Sequence, residues 1–199
     1  MIDLRPATAD EMVLAFLRAE VGSHTDRGEM FAKAIAQIGA DRDLIDRAEL
    51  DDPQQNDKRG SLLGMVRGYG RDQWLFHRFP VDTVWRLVTV TVAELERFKY
   101  ANHTAWTQLA GTSRLVADGV KNIDQVQGRA VRDNVVGIAN RVRNGVRFPA
   151  LIAVQCAGTA EMVLMEGHTR ATAYTLTGLP DDVEVFIGTS ARMASWTFF

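Results

Sequence analysis

The chain has 199 residues, of which 46% are hydrophobic and 24% charged, so it is long enough to bury one full core or two small ones and is not expected to be disordered. Its net charge of −2 divides into −5 over residues 1–60 and +3 over residues 61–199. The basic excess of the second part suits an anionic small molecule but falls well short of that of a protein held on DNA by phosphate contacts, so the charge is compatible with DNA binding and does not indicate it.

The sequence shows neither a membrane segment nor a disulfide pattern. Its apolar runs are too short to span a bilayer, and its N-terminus lacks the basic-then-apolar pattern of a signal peptide. We therefore expect a cytoplasmic protein with no membrane partner. The single cysteine, Cys156, excludes an internal disulfide and a cysteine-rich zinc site, and no metal site is predicted from the protein's own side chains.

Residues 1–50 are predicted to be helical. Thr8 is followed three residues later by Glu11, and this capping-box pattern precedes an apolar face, which is typical of a helix N-terminus. The polar stretch 51–60, which contains Pro53, predicts a loop and a domain boundary.

Residues 60–85 combine glycines with aromatic residues. No apolar strand precedes the glycines, and they lack the Gly-Lys-Ser/Thr ending of a Walker motif, so turns are favoured over a phosphate loop. The aromatic residues are expected to pack the helical segment against the rest of the chain. The glycines are Gly60, Gly64, Gly68 and Gly70, and the aromatic residues are Trp74, Phe76, Phe79 and Trp85.

The remainder of the chain alternates strands and helices. β-branched residues and apolar runs indicate the strands, and apolar residues at spacings of three and four indicate the helices. The predicted strands are 87–92, 150–156, 161–165 and 183–187, and the predicted helices are 93–100, 128–144 and 168–176. The second and third strands, joined at Gly158, form a hairpin if they pair directly.

The run from Glu166 to Arg170 carries the chemistry of a binding site. Gly167, after a predicted strand, allows a tight turn and the close approach of a ligand, while the following helix offers unpaired N–H groups and the positive end of its dipole. Such a helix end attracts anions. The sequence therefore predicts a phosphate site at this turn.

Each side chain of the turn can be given a role. Thr169 can cap the helix or donate its hydroxyl to a phosphate oxygen, and Arg170 offers a planar fork that suits two oxygens. His168 can donate or act as acid or base, and Glu166 can orient Mg²⁺ or accept a substrate proton. Each residue alone also has an ordinary structural interpretation. Their occurrence together on one turn favours the site.

From Val88 onward, the order of elements resembles the ParB/sulfiredoxin superfamily over about 110 residues. The resemblance rests on the basic helix ending Arg-Asn-Gly at 143–145, the hairpin, the sequence Glu-Gly-His-Thr-Arg-Ala at 166–171, and Pro180 before a last strand. In that superfamily the turn binds nucleotide phosphates. The resemblance implies that Gly167, His168, Thr169 and Arg170 bind a nucleoside di- or triphosphate such as ATP, ADP or CTP, with Mg²⁺.

The branches of the superfamily imply different activities. Sulfiredoxins carry a cysteine in this motif, where the chain has His168 and Thr169, so their activity is not expected. Chromosome-partition members bind CTP and continue into a DNA-reading domain, whereas this sequence ends at Phe199. The free-serine kinases resemble it most through Asp-Gly-His-Thr-Arg, with Glu166 here in place of the aspartate. Their second glutamate has no clear counterpart, which leaves the substrate open.

The sequence thus predicts an α+β protein in two parts, a helical segment 1–80 and a ParB/sulfiredoxin-like domain 84–199 with a small mixed sheet and flanking helices. The leading hypothesis is a nucleotide-dependent phosphotransferase or nucleotide hydrolase that acts on a small-molecule substrate, with Glu166 and His168 as catalytic residues. The alternative is a non-catalytic switch, in which the nucleotide changes how the helical segment meets a partner protein or DNA. A nuclease would need clustered carboxylates, and those of the chain are scattered.

Overall fold

The computed structural model describes residues 1–21, 26–125 and 129–199, and within these ranges it confirms an α+β fold with a mixed sheet and flanking helices. The strands are β1 (Ile2–Ala7), β2 (Val84–Val90), β3 (Leu151–Cys156), β4 (Met162–Glu166) and β5 (Val183–Ser190). The helices are α1 (Ala9–Val21), α2 (Asp26–Gln37), α3 (Asp43–Asp46), α4 (Pro53–Arg67), α5 (Val92–Leu95), α6 (Thr104–Ala110), α7 (Val116–Asn122), α8 (Arg129–Arg143) and α9 (His168–Thr177).

The sheet has the strand order β1-β2-β5-β3-β4. The pairs β1–β2, β2–β5 and β3–β4 are antiparallel, while β3 and β5 run parallel. The predicted hairpin of β3 and β4 is confirmed, and Gly158 in its turn has a φ of 81°. Because β4 is an edge strand and leads directly into α9, the turn between them lies at that edge of the sheet.

Helices cover both faces of the sheet. Alternate residues of β3 belong to different apolar clusters, with Ile152 and Val154 facing α1 and α4, and Leu151 and Ala153 facing α6 to α9. This alternation follows from the two-residue repeat of a strand, whose successive side chains point to opposite faces. Residues 1–80 therefore supply most of the cover on one face. The division of the chain into 1–80 and 84–199 as separate domains stays a prediction.

The expectation that residues 1–50 are all helical is wrong at residues 2–7, which form β1. This strand pairs with β2, about eighty residues along the chain, and five of its six residues are exposed. A half-buried strand is recognised in sequence by alternating apolar and polar residues. A strand exposed on both faces does not require this alternation, so the pattern does not indicate β1. The capping box that follows is confirmed, since the Thr8 hydroxyl accepts from the Glu11 amide at 3.2 Å and the Glu11 carboxylate accepts from the Thr8 amide at 2.8 Å.

The predicted loop at 51–60 is wrong, because α4 begins at Pro53. Asp52 caps this helix and accepts hydrogen bonds from the amides of Gln54 and Gln55. Aspartate followed by proline is typical of a helix start as well as of a turn, which explains the error. The polar composition of residues 51–60 also suggested an exposed loop, but Arg59 is fully buried and donates hydrogen bonds to backbone carbonyls of residues 44 and 49.

The later predicted elements agree with the structure to within a few residues, except the helix at 93–100, and the helices α6 and α7 were not predicted. The helix predicted at 93–100 is reduced to α5, whose capping box joins Thr91 and Glu94, and Lys99 then forms isolated bridges with Leu115 and Val163. The helix predicted at 128–144 corresponds to α8, and Gly128 lies outside the described residues. None of the helices in the described ranges combines the length and apolar character that a membrane span requires.

The aromatic residues after α4 pack as predicted. The Phe76 ring contacts that of Phe16 on α1, with centroids 6.3 Å apart, and Phe79 stacks on Trp85 at 6.4 Å. Trp74 is the exception, since 58% of its surface is exposed. The predicted turns are partly confirmed, because Gly68 and Gly70 adopt left-handed backbone conformations after the end of α4. Gly60 and Gly64 lie within that helix.

The start of α1 gives a pH-dependent prediction for Glu11→Gln. The pKa of Glu11 is lowered mainly by a hydrogen bond from Arg5 and also by the Thr8 amide, while burial opposes this. A carboxylate whose folded-state pKa is lowered stabilises the fold above its unfolded value of 4.5, and this contribution is lost as the pH falls through the folded value.

The substitution is expected to reduce the free energy of unfolding by about 1 kcal/mol or less at neutral pH, the range of partly exposed ion pairs. The difference from the wild type should shrink below pH 4.5. Urea unfolding of both proteins at neutral pH and near pH 3 measures it. The same difference at both pH values would contradict the expectation.

Candidate functional site

The turn between β4 and α9 depends on Gly167. This residue has a φ of +96°, and a Cβ atom there would lie 2.4 Å from Cδ2 of Leu151 and 3.0 Å from Nη2 of Arg170. Only glycine avoids both the strained conformation and the collision. Gly167 is also the residue that caps α9, so Thr169 lies in the first helical turn and does not cap the helix with its side chain, which excludes one of the two roles suggested for it.

The first turn of α9 faces a cavity. The amides of Thr169 and Arg170 have no acceptor within the helix, because the first N–H groups of any helix precede their carbonyl partners. The cavity has a volume of about 820 Å³, and all five residues from Glu166 to Arg170 line it. The amide groups and the positive end of the α9 dipole are therefore available to an anion in the cavity.

The guanidinium of Arg170 is engaged by protein oxygens. It donates to the carbonyl of Pro149, to that of Ala150 at 3.4 Å and to Oε1 of Glu166 at 3.3 Å, and the residue is only 6% exposed. In this arrangement Arg170 holds the start of β3 against the turn. The fork that the sequence suggests for phosphate oxygens is thus occupied by oxygens of the protein itself.

The ring of His168 forms part of an aromatic cluster. It stacks on Trp106, with centroids 4.9 Å apart and ring planes at 14°, and its Nε2 accepts a hydrogen bond from the Ala101 amide at 3.3 Å. A ring nitrogen that accepts carries no proton. An acid–base role at that nitrogen would therefore require the bond to Ala101 to break.

Arg67 is a cavity residue that sequence reasoning missed. It ends α4 and forms an ion pair with Glu20 of α1, and the two side chains are 18% and 4% exposed. Burial lowers the pKa of Arg67, while the nearby carboxylate of Glu166 raises it. Its Nε is buried and has no hydrogen-bond partner among the described residues. No local sequence signal marks Arg67, because it reaches the site only through tertiary packing.

The cavity walls combine aromatic and charged groups. Trp106, Phe148 and Phe198 line it, and the Arg141 guanidinium lies 4.7 Å from the centroid of Phe148, a cation–π distance. The charged side chains balance in sign. They are Arg67, Arg141 and Arg170 against Glu20, Asp133 and Glu166. Attraction of an anion therefore depends on the end of α9 and on local geometry, and not on net charge.

The described residues offer few ligands for a metal ion at this site. Within residues 1–21, 26–125 and 129–199, no group of three or more His, Cys, Asp or Glu side chains is placed to hold an ion. Glu166 lines the cavity, but its carboxylate is already bound by Arg170. Mg²⁺ often binds through one or two carboxylates together with substrate phosphates, so an ion here would depend on a ligand for most of its coordination.

Comparisons with known proteins give no relative. No family model, no curated protein and no solved structure matches the chain. The ParB/sulfiredoxin resemblance accordingly remains a hypothesis that rests on the motif at 166–171 and on the order of elements.

Proposed function

We propose that the protein binds a nucleoside di- or triphosphate, such as ATP, ADP or CTP, in the cavity at the start of α9. One observation carries the proposal. The four residues that the sequence assigns to phosphate binding, Gly167 to Arg170, line the same cavity as Glu166, and they do so beside aromatic rings that suit a base. Members of the ParB/sulfiredoxin superfamily, which the sequence resembles, bind nucleotide phosphates at a similar turn, and this agrees with the proposal.

The phosphates are assigned to the first turn of α9. The amides of residues 169 and 170 and the hydroxyl of Thr169 supply donors, and Arg67, which lines the same cavity, adds a cation. Arg170 contributes by fixing the turn. Mg²⁺ would enter with the phosphates and with Glu166, and would neutralise part of their charge.

The proposed activity is phosphoryl transfer to a small molecule or hydrolysis of the nucleotide. Glu166 is the proposed base, since it lies at the cavity wall and its carboxylate can accept the proton of an attacking hydroxyl or water as the bond to phosphorus forms. The leaving nucleotide keeps the electron pair of the broken P–O bond. His168 is a weaker candidate for this role, because its Nε2 is bound to Ala101.

A non-catalytic switch is the second candidate, and one observation favours it. Glu20 and Arg67, which come from α1 and α4, line the cavity together with residues of α9. A ligand would therefore contact the helical segment directly. Through that contact it could change how residues 1–80 meet a partner protein or DNA.

Ligand-induced thermal stabilisation tests the binding proposal. ATP, ADP and CTP are added with and without Mg²⁺, and a ligand at a hundredfold its dissociation constant should stabilise the fold by about 2.7 kcal/mol. Thr169→Val is expected to weaken binding about tenfold, since a hydrogen bond to a charged group is worth roughly 1.5 kcal/mol or more. Thr175→Val is the control, because it removes a buried hydroxyl without a partner in the described part of the chain, further along the same helix.

No stabilisation by any of these nucleotides would refute the proposal. Turnover separates the two candidates once binding is found. Release or transfer of phosphate that is lost in Glu166→Gln, with nucleotide binding retained, supports the enzyme. Tight binding without turnover supports the switch.

A further inference from the structure

The rings of Tyr100 and His168 stack against Trp106, and both His168 and Trp106 line the cavity. The centroid of the Trp106 ring lies 5.0 Å from that of Tyr100 and 4.9 Å from that of His168, with interplanar angles of 23° and 14°. The Tyr100 and His168 centroids are 6.0 Å apart, and their planes are inclined by 22°. The three planes are thus nearly parallel.

These distances show which face of Trp106 is covered. Two rings stacked on opposite faces of an indole would be separated by about 7 Å or more, twice the contact distance of roughly 3.5 Å between carbon atoms. The separation of 6.0 Å places Tyr100 and His168 on the same face. The opposite face of Trp106, a half-buried residue that lines the cavity, is directed away from both rings.

The covered face is held firmly. Tyr100 is fully buried, and its hydroxyl is 2.7 Å from that of Thr172. Gly119 leaves the space that the tyrosine needs, since a Cβ atom there would lie 2.5 Å from the Tyr100 hydroxyl. His168 is fixed by its bond from the Ala101 amide. Trp106 therefore rests on a rigid support, as a preorganised binding surface requires.

We infer that the cavity-facing side of Trp106 is the surface on which the base of the nucleotide stacks. The inference rests on the proposed function and adds the recognition of an aromatic ring to that of phosphate. His168 links the proposed base-binding surface to the proposed phosphate-binding turn. It stacks on Trp106, and it is also the first residue of α9, whose N-terminal turn is assigned to the phosphates. Stacking tolerates different bases, since every base has a π face.

The test compares nucleotides with inorganic tripolyphosphate, which has the phosphates and no ring. Dissociation constants for ATP, CTP and tripolyphosphate are measured on the wild type, Trp106→Leu and Trp106→Phe. Trp106→Leu is expected to weaken ATP and CTP roughly tenfold to a hundredfold, the loss typical of one stacked base, and to change tripolyphosphate less than about twofold. Trp106→Phe keeps a ring and is expected to retain most of the nucleotide affinity.

Trp74→Leu tests the rival surface, because Trp74 also lines the cavity and is 58% exposed. Loss of ATP and CTP affinity in Trp74→Leu, with that of Trp106→Leu unchanged, would overturn the inference. Equal loss of nucleotide and tripolyphosphate affinity in Trp106→Leu would overturn the inference. Such a loss would show that the substitution alters the cavity as a whole and does not act through stacking of the base. Unchanged ATP and CTP affinity in Trp106→Leu would overturn the inference while leaving the proposed function intact. Failure of the wild type to bind any nucleotide would overturn both.

Folding of the leucine variant is not essential to the test. Stacking on an indole quenches its fluorescence, so ATP should quench part of the wild-type emission, and Trp106→Phe should lose that part while still binding ATP. Unchanged quenching in Trp106→Phe would overturn the inference.

Discussion

Gly68→Ala is expected to be among the most destabilising single substitutions in the chain. Gly68 ends α4 with a φ of +84°, and a Cβ atom at this position would lie 2.0 Å from the carbonyl oxygen of Gln73. The obstacle is backbone, which cannot rotate aside as a side chain can. The left-handed conformation alone costs about 1 to 2 kcal/mol for a residue with a side chain, and the collision adds roughly 1 to 3 kcal/mol.

Gly70→Ala is the matched control for this prediction. Gly70 lies in the same turn with a φ of +67°, and no described atom lies within 4 Å of its Cβ position. Its substitution should show the conformational cost without the collision. Urea unfolding of the two variants and the wild type gives the difference directly. Equal losses of unfolding free energy in both variants would contradict the role assigned to the contact with Gln73.

Arg170→Ala is expected to lower the free energy of unfolding by about 3 to 5 kcal/mol, the cost of removing one partner from a buried ion pair. The substitution leaves the carbonyls of Pro149 and Ala150 without their donor, and it leaves Glu166, whose side chain is 18% exposed, without its cation. Arg170→Lys should recover only part of the loss, because an ammonium group cannot reproduce the fork of a guanidinium.

Arg42→Ala provides the comparison for Arg170→Ala. Arg42 and Asp46 form an ion pair with the same spacing of four residues, but their side chains are 61% and 49% exposed. Its loss should cost about 0.5 kcal/mol or less. Chemical denaturation measures both variants. If Arg170→Ala were equally mild in stability yet abolished nucleotide binding, Arg170 would contact the phosphates itself, as the sequence first suggests.

The elements around the turn could be predicted because their signals are local. Two apolar runs joined at Gly158 give the hairpin of β3 and β4, and Gly167 before a helical pattern gives the start of α9. These features depend on backbone conformation and residue periodicity within a few positions. Local backbone preferences and residue periodicity can both be recognised in the sequence alone.

The elements that were missed depend on distant partners or on ambiguous local signals. Strand β1 exists through its pairing with β2, which lies about eighty residues away, and nothing in its own burial pattern requires it. Helix α4 begins with Asp52 and Pro53, which suit a turn equally well. Arg59 inside this helix is fully buried against backbone carbonyls, an environment that a charged residue does not reveal in sequence.

The candidate site shows the same division. The turn from Glu166 to Arg170 could be predicted, whereas the contributions of Arg67 and Trp106 to the cavity could not. Arg67 and Trp106 reach the cavity from helices that precede the turn by about one hundred and about sixty residues. The environment of Arg170 was also beyond prediction, since its acceptors at Pro149 and Ala150 come from the chain before β3.

Strand β1 is an outer strand of the sheet, and its composition opposes the addition of a strand from another polypeptide. An outer strand offers unpaired N–H and C=O groups to any other polypeptide, and proteins oppose such strand addition with charge, proline and irregular pairing. β1 has all three, in Arg5, Pro6 and the register shift between Asp3 and Arg5. The short N-terminal strand thus protects β2, with its buried Val88 and Val90, from aggregation through its backbone.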